Sequence, residues 1–285
     1  MKLAMWTGYL WELNPEESVR EFAARGWKWL ELSEEHAHEL LRRGDPTKTG
    51  EALRKFAADR GVRIAQGHFI MTRDGAPGVD IVEQACADEK LFHEQLERLA
   101  RWVELFAATG IEAGVYHAGG KELRKLGWSA DRILARRLAG VERMRDHAKG
   151  TRVRICLENL EEIGATYEAM RPLVEPFREE EVGVCLDTGH ANMGGGDCAE
   201  FVRRAGKRLR ALHVHDSIGS DNDHVLPYSR GTINWKTFLA ALRETRYEGV
   251  WSWELPGETM WCPLDVRLMK LDYVRRLGEW MVEKG

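Results

Sequence analysis

Eight short stretches of the chain share one pattern: an apolar or β-branched run that ends in a polar residue and then gives way to a helical stretch. They are KLAMWTG (2–8), WKWLELS (27–33), VRIAQGH (62–68), EAGVYHA (112–118), VRICLEN (153–159), EVGVCLD (181–187), RALHVHD (210–216) and EGVWSWE (248–254). Between them lie amphipathic patterns at helical spacing. The clearest cases are Leu91, Gln95, Leu99, Trp102, Val103 and Phe106, and later Val266, Met269, Leu271, Val274, Leu277 and Met281. Eight alternations of strand and helix, with no linker rich in Pro, Gly or Ser, predict one α/β domain over residues 1–285, a closed (β/α)8 barrel. An open doubly wound sheet is disfavoured, because no GxGxxG follows the first strand and no GxxxxGK[ST] occurs anywhere.

Side chains alternate along a strand, so residues that share parity with the terminal polar residue point into the barrel. By that rule Cys156 and Glu158, Cys185 and Asp187, His213 and His215, and Ser252 and Glu254 point inward, while Ile155, Leu157, Val184, Leu186, Leu212, Val214, Trp251 and Trp253 face the helices. His68 and His117 end the third and fourth strands in the same way. The inward set lines the C-terminal mouth, the face on which such barrels carry their active sites. Six of the ten histidines (His68, His117, His190, His213, His215, His224) fall at strand ends or in the loops just after them.

One inward Glu or His at a strand end is more often a hydrogen-bonded structural residue than a ligand. Several carboxylates brought together are another matter, since each raises the pKa of its neighbours unless a cation sits between them. Glu158, Asp187, His213 and Glu254 make a donor set of hard oxygens and one imidazole, which suits Mn2+, Mg2+ or Co2+ better than a thiolate-rich zinc site does. A dication with open positions chelates neighbouring sugar oxygens and stabilises an enediolate, while flanking carboxylates move a proton. That is isomerase chemistry.

Composition narrows the alternatives. With 285 residues, 44% of them hydrophobic and 31% charged, the chain has ample material for a core and is not a disordered protein. Forty-two Lys and Arg against 46 Asp and Glu leave a formal charge of −4, which argues against tracking a phosphate backbone. The five cysteines show no CxxC spacing, so neither a disulfide framework nor a zinc finger is expected. No apolar window approaches a membrane span and MKLAMWTGYLWELNPEE lacks the features of a signal peptide, so a cytoplasmic location without membrane attachment is expected.

Five motifs, in this order, resemble those of the xylose isomerase-like TIM-barrel superfamily: LEN (157–159), CLDTGHA (185–191), HVHD (213–216), DHVLPYSRGTINW (223–235) and a last strand ending in WE (253–254). That superfamily includes sugar isomerases and epimerases, inosose dehydratases and the AP endonuclease family 2 enzymes, and the resemblance covers nearly the whole chain. It implies that Glu158, Asp187, His213 and Glu254 are metal ligands, that Glu158 and Glu254 are also the catalytic acid/base pair on opposite faces of the substrate, and that His190 contacts substrate oxygens. His215, on the same strand face as His213, joins the candidates for substrate binding, with His68, His117 and His224. The tagatose-type and psicose-type epimerases carry a further Glu where this chain has Gly164 and an Arg where it has Gly219, so the identity of the sugar, and whether it is phosphorylated, does not transfer. Glu161, Glu162 or Arg230 are conjectural replacements from nearby.

The endonuclease branch binds three zinc ions with additional histidines that match His68, His117, His190 and His224, which makes an endonuclease IV-like phosphodiesterase acting on abasic DNA the alternative reading. Against it, that branch's Asp two residues before the last His is Asn222 here, and the densest basic run, Arg203–Arg210, belongs to the opposite face of the barrel. An inosose-type dehydratase using the same intermediate is a third reading. The expected partner is therefore a small-molecule sugar rather than nucleic acid, with homo-oligomerisation left open.

Four further features carry expectations. Trp6, Trp11, Trp128 and Trp261 are candidates for stacking on a sugar at the mouth, with core packing the commoner role. Gly194–Gly196 reads either as a phosphate-binding turn or as a flexible turn capped by Asp197. His36 and His38, in a Glu-rich stretch, read as surface residues. The connection from Ile70 to about Ala87, which contains RDGAPG, reads as a lid or a tolerated insertion.

Overall fold

A computed structural model of the chain describes residues 1–70, 85–259 and 261–284, so the predicted 70–87 connection lies largely outside the described residues. Its eight strands are β1 (Lys2–Trp6), β2 (Trp29–Leu32), β3 (Arg63–His68), β4 (Ala113–Tyr116), β5 (Arg154–Glu158), β6 (Val182–Asp187), β7 (Leu209–Val214) and β8 (Val250–Trp253). Each pairs in parallel with its neighbours in sequence, and β8 closes on β1. The architecture is a single (β/α)8 TIM barrel, as the alternation of patterns predicts.

Strand parity separates two apolar layers. Ala113, Val115, Cys156, Cys185 and Ala211 form a small cluster inside the barrel, and Ala4, Ala65 and Val250 form another. Ile155, Leu157, Val184, Leu186, Leu212 and Val214 are fully buried in the large layer shared with the helices, as are Trp251 and Trp253. All five cysteines are free thiols. Among the described residues no helix is long and apolar enough to cross a membrane.

The helical faces differ from the sequence reading in phase. In the helix Glu89–Thr109 the buried stripe starts from Phe92 and Leu96, not Leu91 and Gln95, and Leu91 is exposed. In Leu264–Lys284, Met269 is exposed while Arg267 is buried, because its guanidinium satisfies the carbonyls of Tyr9 and Cys262 and pairs with Glu12. His36 is also a correction to the surface reading. It is buried on the face of the helix Glu34–Arg42 that includes Ala37 and Leu40, with Nε2 2.9 Å from the Leu13 carbonyl oxygen. His38 is half-buried, its ring edge-on to Trp102 with centroids 4.8 Å apart.

Register brings the functional strand ends to one height. Glu158 is opposite Cys185, Asp187 is opposite His213, and His213 is opposite Ser252.

Candidate active site

The motifs at the mouth are held by side-chain bonds between adjacent strands. Asn159 of LEN donates to the Asp187 carbonyl at 3.0 Å and accepts from the Asp187 amide at 2.7 Å, continuing the β5–β6 ladder past its end. Thr188 ties β6 to β7, donating to the His215 carbonyl at 2.6 Å and accepting from its amide at 3.1 Å. Gly189 is required where it stands, since a Cβ there would lie 1.9 Å from the His215 ring. Asp216 of HVHD accepts from the Ile233 amide and, at 2.6 Å, from the Trp235 indole, which anchors the Gly-containing turn and the following Ile-Asn-Trp.

On this frame the structure gathers nine of the ten sequence-predicted residues. His117 Nε2 lies 2.9 Å, His213 Nδ1 3.2 Å and His68 Nε2 3.6 Å from Glu158 Oε2. His190 Nδ1 lies 3.1 Å from the other oxygen, Oε1, and 3.6 Å from Asp187 Oδ1. Both oxygens of Asp187 accept from His215, whose Nε2 is 3.0 and 2.9 Å from them. Glu254 Oε2 approaches His213 Nδ1 at 3.5 Å and His224 Nδ1 at 3.9 Å. Arg230 is not part of this group: it is exposed and pairs with Asp223 at 3.1 Å. Glu161 is likewise engaged elsewhere, with Lys121.

Two residues complete the site that strand-end reasoning did not name. Glu31 on β2 is fully buried and accepts from His213 Nε2 at 2.9 Å, and its second oxygen accepts from Gln66 Nε2 at 2.9 Å. Both share parity with the polar residues that end their sequence segments, Ser33 and His68, so the signal was present in the pattern. Asn222 reaches His190 Nε2 at 3.0 Å, and His224 sits in the left-handed region with φ 43°, a strained backbone for a non-glycine residue of the kind found at functional sites.

The electrostatics divide the two glutamates. Burial would raise Glu158, but the imidazoles of His117 and His213 hold it well below the usual carboxylate range. Burial dominates at Glu254 and pushes it up to about 7. Burial opposes charge on His68 and His190, yet Glu158 raises His68 to about 9, and Asp187 with Glu158 raises His190 to about 10. His224, buried beside His215, falls to about 3.

The donor set fits a divalent cation. His68 Nε2, His190 Nδ1 and His213 Nδ1 are buried with no hydrogen-bond partner, and all three converge on Glu158. Sets of three donors with mutual separations within 4.8 Å include His68–His117–Glu158, Glu158–Asp187–His190, His68–His213–Glu254 and His215–His224–Glu254. These nitrogens face carboxylate oxygens at 3.1–3.6 Å without forming hydrogen bonds to them, an arrangement that a shared cation would satisfy.

The family model for the xylose isomerase-like TIM barrel matches residues 19–281. The chain belongs to that family. A D-tagatose 3-epimerase-like protein of known structure shares 22% sequence identity over all of this chain and 99% of its own, with a TM-score of 0.76. An IolI protein solved with a zinc atom shares 18% identity, covers 100% and 99% of the two chains and gives a TM-score of 0.77. An uncharacterized protein of Methanocaldococcus jannaschii, MJ1311, is 35% identical over 36% of each chain. A probable endonuclease 4 of a Sulfurihydrogenibium strain is 25% identical over 60% of this chain and 53% of its own. The chain thus spans between about a quarter and about half the length of the curated relatives it matches first. In this xylose isomerase-like barrel the other mouth candidates part company. Trp6 is buried at the end of β1, Trp128 packs against a satellite cluster of Ala85, Leu123 and Ile133, and Trp11 and Trp261 are exposed. Asp197 caps the helix Cys198–Ala205, accepting from the Ala199 and Glu200 amides, which favours the plain-turn reading of Gly194–Gly196.

Proposed function

We propose that the protein is a divalent-metal-dependent isomerase or epimerase of a ketose or keto-sugar, working by proton transfer through an enediolate. The observation that carries this reading is the convergence of three partnerless imidazole nitrogens on Glu158, with Glu254 reaching the same His213 nitrogen from β8. Glu158, Asp187, His213 and Glu254 are the proposed ligands. A dication bound there, Mn2+ first among Mg2+, Co2+ and Zn2+, would hold two sugar oxygens and polarise the carbonyl.

The chain's own residues supply the rest. Glu158, kept ionised by His117 and His213, is suited to take the proton from the carbon beside the carbonyl. Glu254 is the candidate to return one, and in the metal-free chain burial drives its pKa apart from that of Glu158, the arrangement that divides acid from base. His190 is placed to orient substrate oxygens, and the buried, hydrogen-bonded walls built by Asn159 and Thr188 keep these groups in fixed relation. The likeness to sugar epimerases supports this reading.

Incubation of a ketose and polyol-ketone panel in D2O with Mn2+ tests it. Solvent deuterium should appear at the carbon next to the carbonyl, and its absence across the panel would overturn the proposal. The His68–His117–Glu158 and His215–His224–Glu254 groups favour a phosphodiesterase on abasic DNA as second reading, alongside the resemblance to a probable endonuclease 4. A nicking assay on an abasic duplex decides between them. An inosose-type dehydratase would announce itself by loss of water from an inosose.

A further inference from the structure

The end of the barrel opposite the histidine-rich mouth carries a cavity of about 400 Å3, within the size range of small-molecule sites. Lys2, Arg154, Lys207, Arg210 and Arg246 line it. Two carboxylates, Glu112 and Glu248, share the lining, and Glu112 is already paired with Arg152. Among the described residues none of the five cations forms an ion pair with a carboxylate. The contact seen for Lys2 is with the Trp29 ring, 5.1 Å from the centroid.

Arg154 and Arg210 are the telling pair. Each has its guanidinium Nε buried and without a hydrogen-bond partner. The guanidinium ends carry the charge to the lining, and a planar guanidinium is matched by a phosphate or carboxylate that accepts from two of its donors at once. Gly183 of β6 makes room for Arg210, since a Cβ there would stand 2.7 Å from the Arg210 Cγ. The cavity is therefore a built recess with excess positive charge, and concave low-dielectric walls concentrate that potential. The floor is apolar, formed by Ala65, Ala113 and Val250.

We propose that this cavity binds a small phosphate-bearing anion, at a site separate from the histidine-rich mouth. Arg154 opens β5, which ends in Glu158, and Arg210 lies three residues before His213 on β7, so the same two strands serve both ends. The basic run Arg203–Arg210, which has no role at the mouth, contributes its last residues here; Arg203 and Arg204 are spent on Glu244 and Glu168.

The test titrates the full chain with glycerol 3-phosphate and with inorganic phosphate, against sodium chloride at matched ionic strength, by calorimetry and thermal melting. Saturating phosphate ester should raise Tm by roughly 3 °C or more. Arg154→Gln and Arg210→Gln should each weaken binding at least about tenfold. Lys207→Gln and Arg246→Gln, at exposed positions that leave the fold intact, should weaken it less, and Glu158→Gln should leave it unchanged. Tighter binding of the ester identifies a phosphorylated metabolite, and equal affinity identifies free phosphate. The proposal is overturned by no effect beyond that of chloride, by affinity indifferent to Lys207→Gln, Arg246→Gln and Arg210→Gln, or by affinity lost in Glu158→Gln.

Discussion

Glu31 Oε1 accepts a hydrogen bond from His213 Nε2 at 2.9 Å in a position where neither residue is exposed. A carboxylate only accepts, so the bond fixes the proton on Nε2 and turns Nδ1 toward Glu158 and Glu254. Gln66 holds the other Glu31 oxygen, which leaves the ring one orientation. Carboxylate–imidazole pairs of this kind orient metal ligands and raise their basicity. Glu31→Gln should therefore weaken Mn2+ or Co2+ binding about 10- to 100-fold while the chain still melts cooperatively. Competition with a metal indicator gives the affinity.

Metal uptake should release protons. His68 and His190 have pKa values raised to about 9 and about 10 by the carboxylates around them, so at neutral pH both imidazoles are protonated. Neither ring is a proposed ligand, but a dication seated among the same carboxylates repels both charged imidazoles and removes the charge that holds their protons, so protons leave as metal enters. Metal affinity should rise steadily from pH 6 to pH 9. Calorimetry in buffers of different ionisation enthalpy should show a binding enthalpy that varies with the buffer; buffer-independent enthalpies would contradict this electrostatic picture.

His36 supplies a stability signal away from the site. Burial lowers its pKa to about 4, against an unfolded value of about 6.5. The folded chain then binds fewer protons than the unfolded chain between those values, so stability is full above pH 6.5 and falls as pH drops toward 4. The contribution is about 3 kcal/mol over that window. His36→Gln keeps a donor toward the Leu13 carbonyl and should flatten the pH dependence of the urea midpoint relative to the wild-type chain.

Arg267 joins the last helix to the turn after β1. Its guanidinium donates to the Tyr9 carbonyl at 2.7 Å and to the Cys262 carbonyl at 3.1 Å, and pairs with Glu12. Arg267→Ala leaves a buried carbonyl without its donor and opens a cavity, and should cost about 3 kcal/mol in chemical denaturation. A loss within a few tenths of a kcal/mol would show that the contact is replaced by water.

Much of this architecture is legible in residue patterns because period-2 alternation and barrel closure leave few options. Glu158, Asp187, His213 and Glu254 stand on inward parity at their strand ends, and the structure brings them to one mouth. Glu31 escaped because the parity reading was not carried to the segment WKWLELS, where the chemistry sits one inward step before the polar residue that ends it, Ser33. His36 escaped for another reason. The acidic residues around it suggest a solvated face, but helical spacing sets it beside Ala37 and Leu40. The helix Glu89–Thr109 shows the same ambiguity, since Leu91 and Phe92 both begin plausible apolar stripes and only packing against the barrel selects Phe92. Arg230 lies on a loop, where alternation gives no direction, and its ion pair with Asp223 places it outside the histidine cluster.

Metal analysis of the purified chain after loading with Mn2+ and removal of excess ion tests the central claim most directly. The account predicts at least about one bound dication per chain, and near-complete loss in a Glu158→Gln/His213→Gln double variant that still melts cooperatively. A wild-type chain retaining no more metal than that variant would contradict it.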